Sequence, residues 1–316
     1  DISRPKMYLI RAVAIVLSLI VAAVVIVCVT GLNPIEVYKS MFDGAFSSSR
    51  RIWITIRDTM VLLCISIALA PAFKMKFWNI GAEGQMLVGG IVTAGIMIYF
   101  GNSVPTSVLI VIMLISSILI GAMWGLLPAI FKAYWNTNET LFTLMMNYVA
   151  IQLTSFFVAK WENPFGSNTV GIINANTQGG WFPAIIGQPY LLNVIIVLAV
   201  MIGMYIYLGK SKQGYEVAVV GESENTARYA GINVKWVIIR TMVISGALCG
   251  LAGFIGVAGV DHTISTGTAG GRGFTAIIVA WMSKFNTYIM FIVSFFLVFL
   301  DQGAKEIASN FNLNEY

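Results

Sequence analysis

The chain has 316 residues, of which 58% are hydrophobic and only 10% charged, and its mean hydropathy is +0.83. A soluble domain carries about 25% charged residues, so an ordinary water-soluble fold is excluded and the chain reads as a polytopic membrane protein. The net charge of +5 is scattered between apolar runs, which argues against nucleic acid as a partner and marks Lys and Arg as topology determinants.

A helix needs roughly 20 apolar residues to cross the hydrocarbon core. In chain order, residues 8–30 meet that length, and residues 52–73 do so with Arg57 and Asp58 near an interface. Spans over 78–100, 105–131, 140–159, 189–208 and 236–260 follow. The pattern then breaks: 273–283 is apolar but only half-length, and 285–300 is borderline. A half-length element is tolerated only where protein covers it or a watery cavity meets it. The expected fold is all-α, a polytopic transmembrane helical bundle with a short or broken late helix. "RDTMV" at Arg57 and "RTMV" at Arg240 form a weak internal echo that fits an inverted repeat.

With the N-terminus in the cytoplasm, alternation places Lys74, Lys76, Lys132, Lys210, Lys212, Arg228, Lys235 and Lys284 inside, together with Arg4, Lys6 and Arg11. That arrangement is inside-positive over the short connections. Cys28, Cys64 and Cys249 each lie in an apolar run, with neither metal-site nor disulfide spacing. No G-x-x-x-x-G-K-[ST] loop and no H-E-x-x-H occur in these residues. The single histidine, His262, sits beside Asp261 and reads as a solvated loop residue. Catalysis therefore has little support, and the chain is not expected to hold ATP phosphates of its own. Gly121-x-x-x-Gly125 and Gly246-x-x-x-Gly250 are small-residue stripes expected in internal helix contacts.

Polar groups inside spans are costly and face protein or a cavity. Asn79, Glu83 and Gln85 open the third apolar run, and Asn147 sits among methionines on the fifth. A gate at the inner end of the bundle and a purely structural helix start, with Asn79 capping and Glu83 on the N-terminal dipole, remain open as readings of the first three. An interhelical hydrogen bond and a substrate contact remain open for Asn147. Two connections stand out. The external loop over 160–188 carries Trp161, Trp181 and Phe182, as interfacial aromatics or as a docking surface. The cytoplasmic loop over 209–235 holds a short helix over 224–230, with Ser223 as N-cap and Gly231 as its stop, suited to a groove on a partner.

Four blocks now point to a family. "FWNIGAEGQ" from Phe77, "NETLFTLMMNYVA" from Asn138, "GYEVAVVGESENTARYAGI" from Gly214 and "GRGFTAIIVAWMSKFN" from Gly271 stand in register. Together they resemble the permease subunits of ABC importers of the branched-chain amino acid, ribose and nucleoside family, nearest its nucleoside branch. Thr140 and the pair Met282-Ser283 depart from the usual residues.

The resemblance implies one transmembrane permease domain over 1–316, with a final span expected beyond 316. It implies that the chain moves nucleosides inward by alternating access; a ribose-like sugar or a branched-chain amino acid is the alternative cargo, and an ion-driven secondary transporter the alternative class. It implies that Glu222, Glu224, Asn225, Ala227, Arg228, Tyr229, Ala230 and Gly231 couple to an ABC ATPase subunit, single or a fused double. ATP and Mg would be bound by that subunit, and no cofactor by this chain. The other implied partners are a second permease, identical or not, an external substrate-binding lipoprotein and the lipid bilayer of a bacterial cell membrane. For the path or gate the candidates are Asn79, Glu83, Gln85, Phe142, Met146, Asn147, Gly273 and Phe274, with Phe142, Met146 and Asn147 placed against the base.

Overall fold

A computed structural model describes residues 4–312. Among the described residues every regular element is helical: α1 (Arg4–Thr30), α2 (Pro34–Phe46), α3 (Ser49–Lys74), α4 (Ala82–Phe100), α5 (Thr106–Trp135), α6 (Glu139–Trp161), α7 (Leu191–Lys210), α8 (Lys212–Glu222), α9 (Glu224–Tyr229), α10 (Val234–Gly256), α11 (Arg272–Met282) and α12 (Thr287–Phe311). A π-helical turn, Val257–Asp261, extends α10. Among the described residues, seven helices are long and apolar enough to cross a membrane: α3 to α7, α10 with its π turn, and α12. α1 and α2 add an eighth if their bent pair counts as one span.

Two compact units are present. The first comprises residues 1–55 and 297–316. Here α1 turns by 107° into α2. Gly31, at φ +68°, permits that turn, and the Asn33 side chain caps α2 by accepting the Ile35 N–H at 3.0 Å. Phe42 and Phe46 of α2 pack on Phe299 of α12 with ring centroids 6.5 and 5.9 Å away. Glu306 pairs with Arg51, and Asn310 donates to the Ser40 hydroxyl at 2.8 Å. The expectation that 285–300 is a borderline span is corrected: α12 runs on to Phe311. Lys305 pairs with Asp301 one turn away at 2.8 Å, so the charges beyond residue 300 belong to a helix face.

The second unit, residues 56–296, holds the candidate site. Its centre is a three-helix contact of α4, α5 and α10. A methyl on Gly121 would collide with the Gly246 carbonyl, one on Gly250 with the Ser117 carbonyl, and one on Gly89 with the Gly250 carbonyl. The small-residue stripes therefore join α5 to α10 inside one chain, with backbones in van der Waals contact. Burial follows the same arrangement: 78% of the apolar window of α10 is buried, against 28% for α5, α6 and α7, whose outer faces remain apolar and uncovered.

Three readings of the sequence change here, and a fourth stands. Residues 77–81 are not helical, so the third span starts at Ala82 and not at Trp78. The second span begins earlier, at Ser49, which sets Arg57 and Asp58 two turns inside it, and both are largely covered. α2 and α8 had no counterpart in the hydropathy pattern, because each is short and amphipathic. The half-length helix over 273–283 is present as α11, eleven residues long. One of its faces is buried through Gly273, Ala276, Val279 and Ala280; Phe274, Ile278, Trp281 and Met282 are exposed on the chain as it stands.

Candidate functional site

The stretch Trp78–Glu83 and α11 form one construction. Eleven helical residues rise about 16 Å, and Trp78 and Glu83, on either side of the non-helical residues 79–81, contact opposite ends of that rise. The ends of the two segments meet. At one end, Trp78 stacks on Trp281 with centroids 5.5 Å apart, and Phe73 and Phe285 close the aromatic cluster. At the other end, the Glu83 carboxylate reaches the start of α11. Its Oε1 accepts the Gly271 N–H at 2.8 Å and its Oε2 the Gly273 N–H at 2.9 Å. α11 has no side-chain cap of its own, because its N-cap is Gly271 in the left-handed region. Glu83 supplies that cap from another helix, where a carboxylate satisfies orphan N–H groups and meets the positive end of the helix dipole. Gly273 is required for the approach, since a Cβ there would stand 2.7 Å from both the Glu83 amide nitrogen and Oε2.

The neighbouring amides hold the extended stretch in place. Asn79 is fully buried; its Nδ2 donates to Gln85 Oε1 at 3.3 Å and to Ser245 Oγ of α10 at 3.2 Å. Its Oδ1 accepts the Gly81 N–H at 3.0 Å, so Asn79 closes a turn ahead of α4 and is not the N-cap, a place that Gly81 occupies. Asn147 of α6 bridges the same stretch: Oδ1 accepts the Gly84 N–H and Nδ2 donates to the Ile80 carbonyl, both at 2.8 Å. Thr143 accepts the Ile80 N–H at 3.2 Å. Asn79, Asn147 and Thr143 serve backbone groups that leave helical geometry, where an unpaired N–H or C=O in an apolar layer is costly, and Gln85 and Ser245 hold the Asn79 side chain.

The network lies well along the helices that carry it. Asn147 lies eight residues into α6 and Ser245 eleven residues into α10, about 12 and 16 Å from those helix starts. Asn79, Glu83, Gln85, Asn147 and Gly273 are brought together. Phe142 is not part of that group and packs on Phe131 at 4.9 Å; Met146 is half-buried, and Phe274 is 46% exposed.

At the end of the unit that bears Lys74 and Lys132, α8 and α9 form a layer. Gly221 lies against the Lys74 carbonyl, and Glu216 of α8 pairs with Arg240 of α10 at 3.1 Å. The Ser223 hydroxyl accepts the Thr226 N–H at 3.3 Å and starts α9. One residue expected at the partner face needs correcting: Ala227 is fully buried against Met75, Phe77, Val217, Val220 and Val234. The exposed residues are Glu222, Glu224, Asn225, Arg228, Tyr229, Ala230 and Gly231, and Tyr229 is 92% exposed. Beside them opens a cavity of about 230 Å³ edged by Lys76, Lys132, Glu139, Glu222 and Glu224.

Two features at the opposite end were not read from the sequence. Asp58 accepts from Arg57 Nε at 2.9 Å and faces Arg272 of α11 at 3.6 Å, which ties the half-length helix to α3. His262 is not a solvated loop residue. Its ring lies 3.8 Å from that of Trp181 at an angle of 6°, and burial pushes its pKa down to about 4. His262 was visible in the sequence, but its ring partner Trp181 lies 81 residues away, and Arg272 lies 214 residues from Asp58.

A family model described as the permease component of the branched-chain amino acid transport system matches residues 51–316. The chain is 30% identical over 282 residues to the guanosine ABC transporter permease protein NupP of Bacillus subtilis, covering 88% of this chain and 80% of that protein. It is 29% identical to the nucleoside ABC transporter permease protein NupB of Lactococcus lactis, covering 88% and 78%. It is also 25% identical to the glucose ABC transporter permease protein TsgB13 of Haloferax volcanii, covering 89% and 76%. No solved structure matches.

Proposed function

The chain belongs to the family of branched-chain amino acid transport system permease components, and on that premise we propose that it is the membrane-spanning subunit of an ATP-driven importer for nucleosides. The observation that carries this reading is the similarity, over 88% of the chain, to two permeases named for guanosine and for nucleosides. Substrate moves inward by alternating access, and the chain does no chemistry of its own. ATP and Mg are handled by a partner ATPase that meets the exposed face of α9, with Tyr229 and Ala230 at its centre. A second permease and an external binding lipoprotein complete the assembly, in a bacterial cell membrane with the N-terminus in the cytoplasm.

The buried network supports a rigid role for the head of α4. Glu83 and Trp78 clamp the two ends of α11, so this half-length helix moves with the extended stretch as one body. The glucose permease relative favours a second cargo, a sugar.

Uptake by proteoliposomes that hold the complete complex separates these readings. Labelled guanosine should accumulate only when ATP is supplied. Accumulation of ribose or glucose in its place transfers the reading to the sugar, and uptake that follows an ion gradient without ATP overturns it.

A further inference from the structure

A cavity of about 490 Å³ opens at the end of the second unit opposite α8 and α9, walled by Trp181, Phe182, Tyr190 and His262, with Gln178 and Thr106 at its margin. The rings are fixed before anything enters. Trp181 Nε1–H donates to the Ile173 carbonyl at 2.8 Å, and the indole lies parallel to the imidazole. His262 is held through its backbone: its N–H donates to the Val257 carbonyl at 3.0 Å, and its own carbonyl accepts the Ile173 N–H at 2.8 Å. The Phe182 N–H donates to the Ala258 carbonyl of the π turn at 3.1 Å. Behind Tyr190 stands the Arg57 guanidinium, 5.3 Å from the ring centre and pinned by Asp58.

The polar groups are few. His262 Nδ1 is buried without a hydrogen-bond partner among the described residues. The imidazole is neutral near pH 7, because burial lowers its pKa to about 4. None of the residues lining the cavity is charged, so a zwitterionic amino acid or a phosphorylated ligand finds no counter-charge there. A free sugar turns hydroxyls in several directions and meets mostly ring faces. A flat, uncharged ring with donors and acceptors along one edge suits the preset aromatic walls and the Gln178 amide among the lining residues.

We propose that this cavity binds the heteroaromatic base of a nucleoside on the permease itself. The assignment rests on the nucleoside reading above and adds a station at the mouth of the path, distinct from the polar network around Glu83.

Calorimetric titration of guanosine, ribose and leucine into the full-length permease complex in lipid nanodiscs tests it. Guanosine should bind, and ribose and leucine should not. Stacking on an aromatic side chain gives Trp181→Ala a roughly ten- to hundredfold weaker affinity, and His262→Ala should also weaken binding. Because Trp181→Ala also removes the bond to Ile173, Thr106→Trp provides a second variant, which fills the cavity from α5 and leaves the stack intact; it should abolish binding. Trp135→Ala, at the far end of α5, should bind as the wild type does. Wild-type affinity in folded Thr106→Trp or His262→Ala overturns the cavity assignment while guanosine uptake stands. Absence of both binding and uptake of guanosine in the wild type overturns the nucleoside reading, and this inference with it.

Discussion

Glu83 shows how a carboxylate inside an apolar layer can be held by backbone groups of a distant element. It accepts two backbone N–H groups from the start of α11, and hydrogen bonds to an ionised group are about twice as strong as neutral ones. Glu83→Gln keeps the shape but removes the charge and turns an NH2 group toward a donor. The variant should lose about 2 kcal/mol of stability, read as a lowered thermal midpoint of the purified protein. Gly273→Ala should cost at least as much, because its methyl displaces the same carboxylate. A Glu83→Gln protein that melts as the wild type does, yet fails to transport, would contradict the capping role and restore the gate. The sequence marked Asn79, Glu83 and Gln85 as out of place among apolar residues, and that much was legible. Their partners were not: Gly271 lies 188 residues from Glu83 and Ser245 lies 166 from Asn79. A glycine amide also leaves no chemical trace in the sequence that would pair it with a carboxylate.

At the scale of elements, α9 divides into a face that holds the chain together and a face that does not. Ala227 is enclosed by Met75, Phe77 and Val217, whereas Ala230 and Tyr229 are exposed. A tryptophan at the two alanines should therefore give opposite results. Ala227→Trp overfills a packed cluster at a cost of about 1–3 kcal/mol or more, and should lower both the yield and the melting temperature of the permease. Ala230→Trp should leave melting unchanged and reduce the substrate-stimulated ATPase activity of the reconstituted complex. Equal melting of both variants would contradict the burial of Ala227, and unchanged stimulation in Ala230→Trp would remove α9 from the coupling surface. Hydropathy found the long spans because a bilayer demands length, and Ser223 and Gly231 bracketed α9 because caps are local chemistry. It missed the break over 77–81, since Phe77, Trp78 and Ile80 are as apolar as a helix would be. It ended the last span early, since Asp301, Lys305 and Glu306 resemble a solvated tail until the Lys305–Asp301 pair and the Arg51 partner of Glu306 on α3 are known.

Over the whole chain, the second unit depends on how closely three backbones approach. α4, α5 and α10 meet at Gly89, Gly121, Gly125, Gly246 and Gly250, and no side chain intervenes. The sequence marked Gly121 to Gly125 and Gly246 to Gly250 as internal contacts, because such stripes allow close helix approach. It did not show that they face each other, as more than a hundred residues separate them. α10 connects this contact to both ends of the unit: Arg240 holds α8 near its start, and the π turn holds Phe182 beyond its finish. Lipid offers apolar surface as readily as another helix does, so dispersion at close range and the hydrogen bonds around Asn79 are the main forces keeping these helices together. A wedge of one methyl should then act far from where it is placed. Gly250→Ala sets a Cβ against the Ser117 carbonyl and the Gly121 Cα, where only backbone can give way. It should lower the thermal midpoint and reduce guanosine uptake per molecule, although Gly250 touches neither α9 nor the cavity beside Trp181. Gly203→Ala on α7 makes the same chemical change where nothing lies within 4 Å, and should leave both readouts at or slightly above wild type, since alanine favours a helix over glycine by about 1 kcal/mol. If the two variants behave alike, close backbone contact does not hold the unit together, and its stability must come from the side chains around Asn79 and Ser245.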